Sequence, residues 1–128
     1  MPKFIVYWLP VLAYCLLIFI QSSFPTPVKE PDIAFFDKYL HILGYGLLGA
    51  LFCRAYHGSS RWSGGKLWRL ALLSILSAGL YGISDEIHQY FVPGRSADVM
   101  DAAADFVGAG LGALIFLALF AKRTVRLP

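Results

Sequence analysis

The chain has 128 residues, of which 58% are hydrophobic and only 15% charged, and its mean hydropathy is +0.63. This composition is too apolar for a water-soluble domain and predicts one integral membrane domain. The formal net charge of +3 does not call for nucleic acid as a partner, because basic residues of a membrane protein collect where anionic lipids attract them. Neither Cys15 nor Cys53 lies in a CxxC motif, and two cysteines are too few for a zinc ribbon.

Four apolar segments are each long enough to cross a bilayer, which requires roughly 20 residues of helix. They cover about residues 4–22, 38–56, 67–91 and 99–121. Each segment is predicted to be helical, because a backbone in lipid must satisfy its own hydrogen bonds. Proline and glycine mark the connections, most clearly at Pro93-Gly94. The expected fold is an all-α, compact bundle of four transmembrane helices, forming a single domain over residues 1–128.

The distribution of lysine and arginine predicts how this bundle is oriented. Cytoplasmic loops of membrane proteins carry an excess of these residues. Here they flank the first segment's start, the second connection and the fourth segment's end: Lys3, Arg54, Arg61, Lys66, Arg69, Lys122, Arg123 and Arg126. Both termini and the second connection are therefore expected in the cytoplasm, with the first and third connections facing outward.

With this orientation, the polar residues of the apolar segments fall at one level near the outer surface. Inserting an ionisable side chain at the centre of a membrane helix costs about 2.5–3.5 kcal/mol of free energy. A membrane protein that brings several of them together is therefore expected to need them for its function. The predicted site takes residues from the second segment, the third segment, the turn and the fourth segment: Asp37, His41, Tyr45, Asp85, Glu86, His88, Gln89, Arg95, Asp98, Asp101 and Asp105. We expect these side chains to form a polar pocket that opens toward the outer leaflet.

Simpler roles for the same residues remain open at this point. Asp37 and Asp98 precede or begin helices and could cap them, and Arg95 could lie at the interface with its charge in water. The acids and imidazoles could form a hydrogen-bonded knot that only holds helices together. Glycines at helical spacing, among them Gly46, Gly108 and Gly112, predict close helix packing within one chain or between two copies.

Three motifs resemble those of a known family. They are Asp37-Lys38-x-x-His41-x-x-x-Tyr45, then Ser84-Asp85-Glu86-x-His88-Gln89-x-Phe91-x-Pro93-Gly94-Arg95, then Asp98, Asp101 and Gly108. Together they resemble the VanZ-like family over about residues 36–116. The resemblance implies a small multi-span protein of the bacterial cytoplasmic membrane. It also implies a relation to a founding member that is associated with reduced susceptibility to teicoplanin, a lipid-tailed glycopeptide. Where the family usually has asparagine, this chain has Asp105.

Three classes of function are compatible with such a pocket. The first is binding of a lipid-linked envelope precursor or an amphiphilic glycopeptide antibiotic, which would lower antibiotic susceptibility. The second is an enzyme that acts on a lipid head group, with Asp85, Glu86, His41 and His88 as acid–base candidates or, with the other acids, as ligands of a divalent cation. No HExxH, P-loop or GxSxG motif supports the enzyme. The third is proton-coupled transport, for which four short helices would need an oligomer.

Overall fold

The structure is a computed structural model that describes residues 1–25, 31–59 and 66–120. Four helices form within these ranges: α1 (Lys3–Ser22), α2 (Phe36–Ser59), α3 (Leu67–Tyr90) and α4 (Val99–Phe120). The described residues contain no strand, which confirms the all-helical prediction. The largest departure from the predicted segments is at the end of α2, expected near residue 56 and found at Ser59. The basic residues Arg61, Lys122, Arg123 and Arg126, used to predict the orientation, lie outside the described residues.

The helices have the length and the exposed apolar surface of a membrane bundle. Helices α1, α3 and α4 are each long and apolar enough to span a bilayer. Helix α2 has 24 residues and is therefore about 36 Å long at 1.5 Å per residue, which is enough to cross a bilayer. It is less apolar than the other three helices because it carries Asp37, Lys38 and Arg54. Many leucines, isoleucines and phenylalanines on the other helices are exposed. An apolar surface of that extent suits lipid rather than water, so the chain is a helical membrane protein.

Helix α2, the most polar of the four, is the central one. It packs against α1, α3 and α4, and its tightest contact is with α4. Small residues on both helices allow that contact: a side chain at Gly112 would overlap the backbone of Gly46, and one at Gly49 would overlap the backbone of Ala109. The glycine pattern therefore serves packing within the chain, as small residues do between membrane helices.

The helices alternate in direction, so each end of the bundle has its own chemistry. At one end, the Trp8 indole donates to Ser59 Oγ at 2.9 Å, and the Arg54 guanidinium lies 4.9 Å from the centre of the Tyr7 ring. Two buried layers follow toward the other end: Cys53, Leu70, Ala71, Ala113 and Leu117, then Tyr45, Leu48, Ala78 and Ala109. The other end holds the last turns of α1 and α3 and the first turns of α2 and α4, and is called the polar end below.

A tight turn between α3 and α4 determines the position of Arg95. The Arg95 amide donates to the Val92 carbonyl at 3.1 Å, and Gly94 has a φ of +79°. Proline at the second position and a positive-φ glycine at the third are typical of a type II turn. The turn brings the Arg95 guanidinium to the C-terminus of α1, where it donates to the Gln21 and Phe24 carbonyls at 2.7 Å each. Arg95 thereby satisfies carbonyls that the helix end leaves without partners.

Candidate functional site

Lys38 is the main positive charge of the polar end. Its ammonium lies 2.6 Å from Asp37 Oδ2, 2.8 Å from Asp98 Oδ2 and 2.5 Å from Asp101 Oδ1. Asp98 also accepts a hydrogen bond from the Met100 amide at 2.8 Å, as a helix cap does. The Lys38 ammonium and the Met100 amide hold the pKa of the Asp98 carboxyl below its ordinary value. Lys38 therefore links the first turn of α2 to the first turn of α4 through ion pairs.

His41 lies one turn deeper and bonds to the next acids of α4. Its Nδ1 lies 2.8 Å from Asp105 Oδ1, and its Nε2 lies 3.5 Å from Asp101 Oδ2. Asp105 is completely buried. Residues three or four apart share one face of a helix, so Lys38 and His41 on α2 both meet the row of aspartates on α4.

Helix α3 contributes two carboxylates that point to different neighbours. The Asp85 Oδ2 atom accepts from Gln89 Nε2 at 3.0 Å and, more weakly, from the Tyr45 hydroxyl at 3.4 Å. Glu86 Oε2 accepts from the Asp98 amide at 3.0 Å. Both carboxylates are buried, and the two together connect α3 to α2 and to the start of α4.

A cavity of about 320 Å³ opens beside this network, between α1, α2 and α3. Its polar lining comes from predicted site residues and from α1: Gln21, Asp37, His41, Tyr45, Asp85, Gln89 and Arg95. Its apolar lining includes Leu17, Ile18 and Leu40, and Tyr14 and Gly44 complete the wall. A second cavity, an apolar groove of about 570 Å³ between α3 and α4, has Glu86 and Asp98 at its polar edge.

The structure brings most of the predicted site residues together, with His88 as the exception. His88 points toward α1, where its Nε2 lies 3.0 Å from Ser23 Oγ and its ring stacks on Phe19 at 4.6 Å. Arg95 does line the cavity, but its guanidinium donates to carbonyls of α1 rather than to Asp85 or Glu86. Those two acids bond to Gln89, Tyr45 and a backbone amide instead.

Lys38, whose ammonium contacts three carboxylates of the polar end, was not among the predicted site residues. Lys38 lies three residues before His41, and a three-residue spacing also places side chains on one face. This spacing could have identified Lys38 as a site residue from the sequence. Tyr14, which lines the cavity and donates to the Gly44 carbonyl at 3.0 Å, had no such signal. Its position depends on how α1 packs on α2.

The fold and the polar end define a class: a small helical membrane protein whose acids, lysine and imidazole meet at one end of the bundle. A family model described as VanZ/LLP1 matches residues 4–121, and the chain belongs to that family. It is thus a VanZ-like membrane protein, which links it to antibiotic resistance. Searches among curated proteins and among solved structures gave no match.

Proposed function

We propose that the 320 Å³ cavity binds the polar head of an amphiphile at the outer leaflet of the bacterial cytoplasmic membrane. The amphiphile would be a lipid-linked envelope precursor or a lipid-tailed glycopeptide antibiotic, and holding it would lower antibiotic susceptibility. One observation carries the proposal: a single cavity has charged and hydrogen-bonding groups on one side and Leu17, Ile18 and Leu40 on the other. Binding sites for small molecules commonly combine an apolar wall with a few polar groups.

The polar groups of the cavity suit a head group that both donates and accepts hydrogen bonds. The Arg95 guanidinium uses its Nε and Nη2 atoms on carbonyls of α1, and a guanidinium has five N–H donors. The remaining donors can bind a carboxylate or phosphate. Asp85 Oδ2 receives the hydrogen bonds from Tyr45 and Gln89, and a carboxylate has about four acceptor positions in all. Ammonium, hydroxyl or amide donors of a peptide-like or sugar-containing head would fit there.

The size of the cavity limits how much of the amphiphile it can hold. The volume of the cavity is about 320 Å³. This is near the lower limit of ligand pockets, which run from about 300 to 1,000 Å³. A whole glycopeptide or disaccharide–peptide precursor is much larger. The cavity would therefore hold one terminal part of the head group while the lipid tail stays in the bilayer.

The interior of the bundle favours binding over transport. Below the polar end, the buried layers consist of apolar residues and tyrosine, and the buried Ser74 hydroxyl donates to the Leu70 carbonyl of its own helix at 2.6 Å. A proton relay needs a succession of ionisable or hydroxyl groups across the membrane. The described residues of these layers supply no such succession.

A binding measurement in lipid nanodiscs tests the proposal. Two fluorescent probes are titrated, one a lipid-linked cell-wall precursor and the other a lipid-tailed glycopeptide. We expect one of them to bind above empty nanodiscs, and Asp85→Asn to weaken that binding about tenfold, which corresponds to about 1.4 kcal/mol. Ser77→Ala is the matched control, because it removes the 2.8 Å Tyr56–Ser77 hydrogen bond outside the cavity.

Either of two results would reject the binding proposal. One is that neither probe binds more tightly than to empty nanodiscs. The other is that Asp85→Asn binds as tightly as the wild type. Weakening by Ser77→Ala to the same extent would show that general destabilisation, rather than the cavity, is being measured. If only one probe responds to Asp85→Asn, that probe identifies the class of amphiphile.

A further inference from the structure

We propose that His41, Glu86 and Asp101 bind a divalent transition-metal ion at the polar end. One ligand atom from each residue can be chosen so that all three lie within 4.8 Å of one another. The three residues come from α2, α3 and α4, so an ion there would join the three helices. This site lies on the α4 side of His41, whereas the amphiphile cavity lies between α1, α2 and α3. The inference goes beyond amphiphile binding and does not depend on it.

Asp105 orients His41 for this role. Asp105 Oδ1 lies 2.8 Å from His41 Nδ1, and because an ionised carboxylate only accepts hydrogen bonds, the ring proton belongs on Nδ1 and the lone pair on Nε2. Metal-binding histidines almost always donate their other N–H group to a carboxylate or carbonyl in this way. His41 Nε2 then faces Asp101 Oδ2 at 3.5 Å. Two ligand atoms that each lie about 2.1 Å from a tetrahedral ion are about 3.4 Å apart.

Glu86 supplies an independent reason to expect a ligand. The residue is only 7% exposed, and its Oε2 atom already accepts from the Asp98 amide at 3.0 Å. Its Oε1 atom is buried and has no hydrogen-bond partner among the described residues. A buried oxygen of a charged group that has no partner carries the full cost of losing its contact with water. Coordination of a cation would satisfy it.

A neighbouring group of three carboxylates is already occupied by a cation, the ammonium group of Lys38. Asp37, Asp98 and Asp101 also have the spacing of a metal site, but the Lys38 ammonium lies among them. Lys38 contacts Asp101 Oδ1, whereas His41 faces Asp101 Oδ2. The two oxygens of Asp101 can therefore serve different cations, the ammonium on one side and the metal ion on the other.

The ligand set favours particular metals. Mg²⁺ and Ca²⁺ prefer oxygen ligands, whereas one imidazole with two carboxylates suits Zn²⁺ or Mn²⁺. Six acids of the polar end, Asp37, Asp85, Glu86, Asp98, Asp101 and Asp105, outnumber its two permanent cations, Lys38 and Arg95. A divalent ion would reduce this excess of negative charge, and water would complete its coordination.

Metal content of the purified protein tests the inference. The protein is stripped with a chelator in detergent and then dialysed against Zn²⁺ or Mn²⁺, with Ca²⁺ as a comparison. We expect one Zn²⁺ or Mn²⁺ ion per chain by elemental analysis, and coupling of bound Mn²⁺ to an imidazole nitrogen by pulsed electron paramagnetic resonance. Glu86→Gln is expected to weaken the affinity at least tenfold. His88→Asn, which removes the imidazole that faces Ser23, is the matched control and should bind as the wild type does.

The role of Asp105 is tested separately, because it positions His41 rather than binding the ion. Asp105→Asn keeps an oxygen for His41 Nδ1 and is expected to bind metal about 10- to 100-fold more weakly, with the nitrogen coupling retained. Absence of stoichiometric metal in the wild type would overturn the proposal. Equal affinity in Glu86→Gln, or loss of the coupling in His88→Asn, would also overturn it. Should Glu86→Gln not fold, the wild-type spectrum alone decides, since a bound ion without imidazole coupling contradicts the site.

Discussion

At the scale of single residues, Lys38 has the most contacts with opposite charge at the polar end. Its three carboxylate partners differ in burial: the side chains of Asp37 and Asp98 are 37% and 44% exposed, and that of Asp101 is 10% exposed. Exposed ion pairs contribute little to stability because water and salt screen them. The pair with Asp101 should therefore account for most of the stabilisation by Lys38.

We predict that Lys38→Met destabilises the bundle by about 2 kcal/mol, a typical value for hydrogen bonds to charged groups. The loss arises because Asp101 stays buried with its charge unpaired. Thermal unfolding in detergent measures it. Lys66→Met, a change of an exposed lysine at the start of α3, is the control and should have almost no effect. In the double variant Lys38→Met/Asp101→Asn we expect part of the stability to return, and purely additive losses would contradict the pairing.

Which acids and imidazoles come together could be predicted from the sequence only in part. The spacing of Asp98, Asp101 and Asp105 predicts one helical face, and the structure places that face against Lys38 and His41. The position of His88 could not be predicted, because spacing along α3 does not say which neighbouring helix a face meets. Arg95 likewise depends on the turn geometry at Gly94 and on where α1 ends.

At the scale of helices, the bundle depends on the close approach of α2 and α4. We predict that Gly112→Ala destabilises the protein by about 1–3 kcal/mol, the usual range for an overpacked core, because the new methyl group would overlap the Gly46 backbone, which cannot rotate away. Gly110→Ala is the matched control on the same helix, since its methyl group would lie 3.7 Å from Ile75 Cδ1, an ordinary contact. Equal thermal stability of the two variants would contradict the packing described here.

The helices themselves were largely predictable, for physical reasons. Long apolar runs in lipid must be helical, and polar or turn-forming residues end them, as at Pro93-Gly94. Less predictable was the central position of α2. Its polar residues lower its hydropathy below that of the other three helices, and only its burial among them explains how a membrane bundle accommodates it. The contact partners of each helix face are a property of the packing and not of any one segment.

At the scale of the whole molecule, the account depends on which side of the membrane the polar end faces. The basic residues Lys3, Arg54, Lys66 and Arg69 belong to the opposite end of the bundle, and the positive-inside rule predicts that this end lies in the cytoplasm. The polar end and its cavity would then face outward. An outward position is what the proposed binding of an envelope precursor or an external antibiotic requires.

The central claim, a polar cavity that opens to the outside, is tested most directly by thiol labelling in intact cells. Gln21→Cys is made in a chain whose Cys15 and Cys53 are replaced by alanine, because the exposed Gln21 lines the cavity. We predict that membrane-impermeant thiol reagents modify it from outside the intact cells. Lys66→Cys should react only after the cells are opened. Modification of Gln21→Cys only in opened cells would contradict the account.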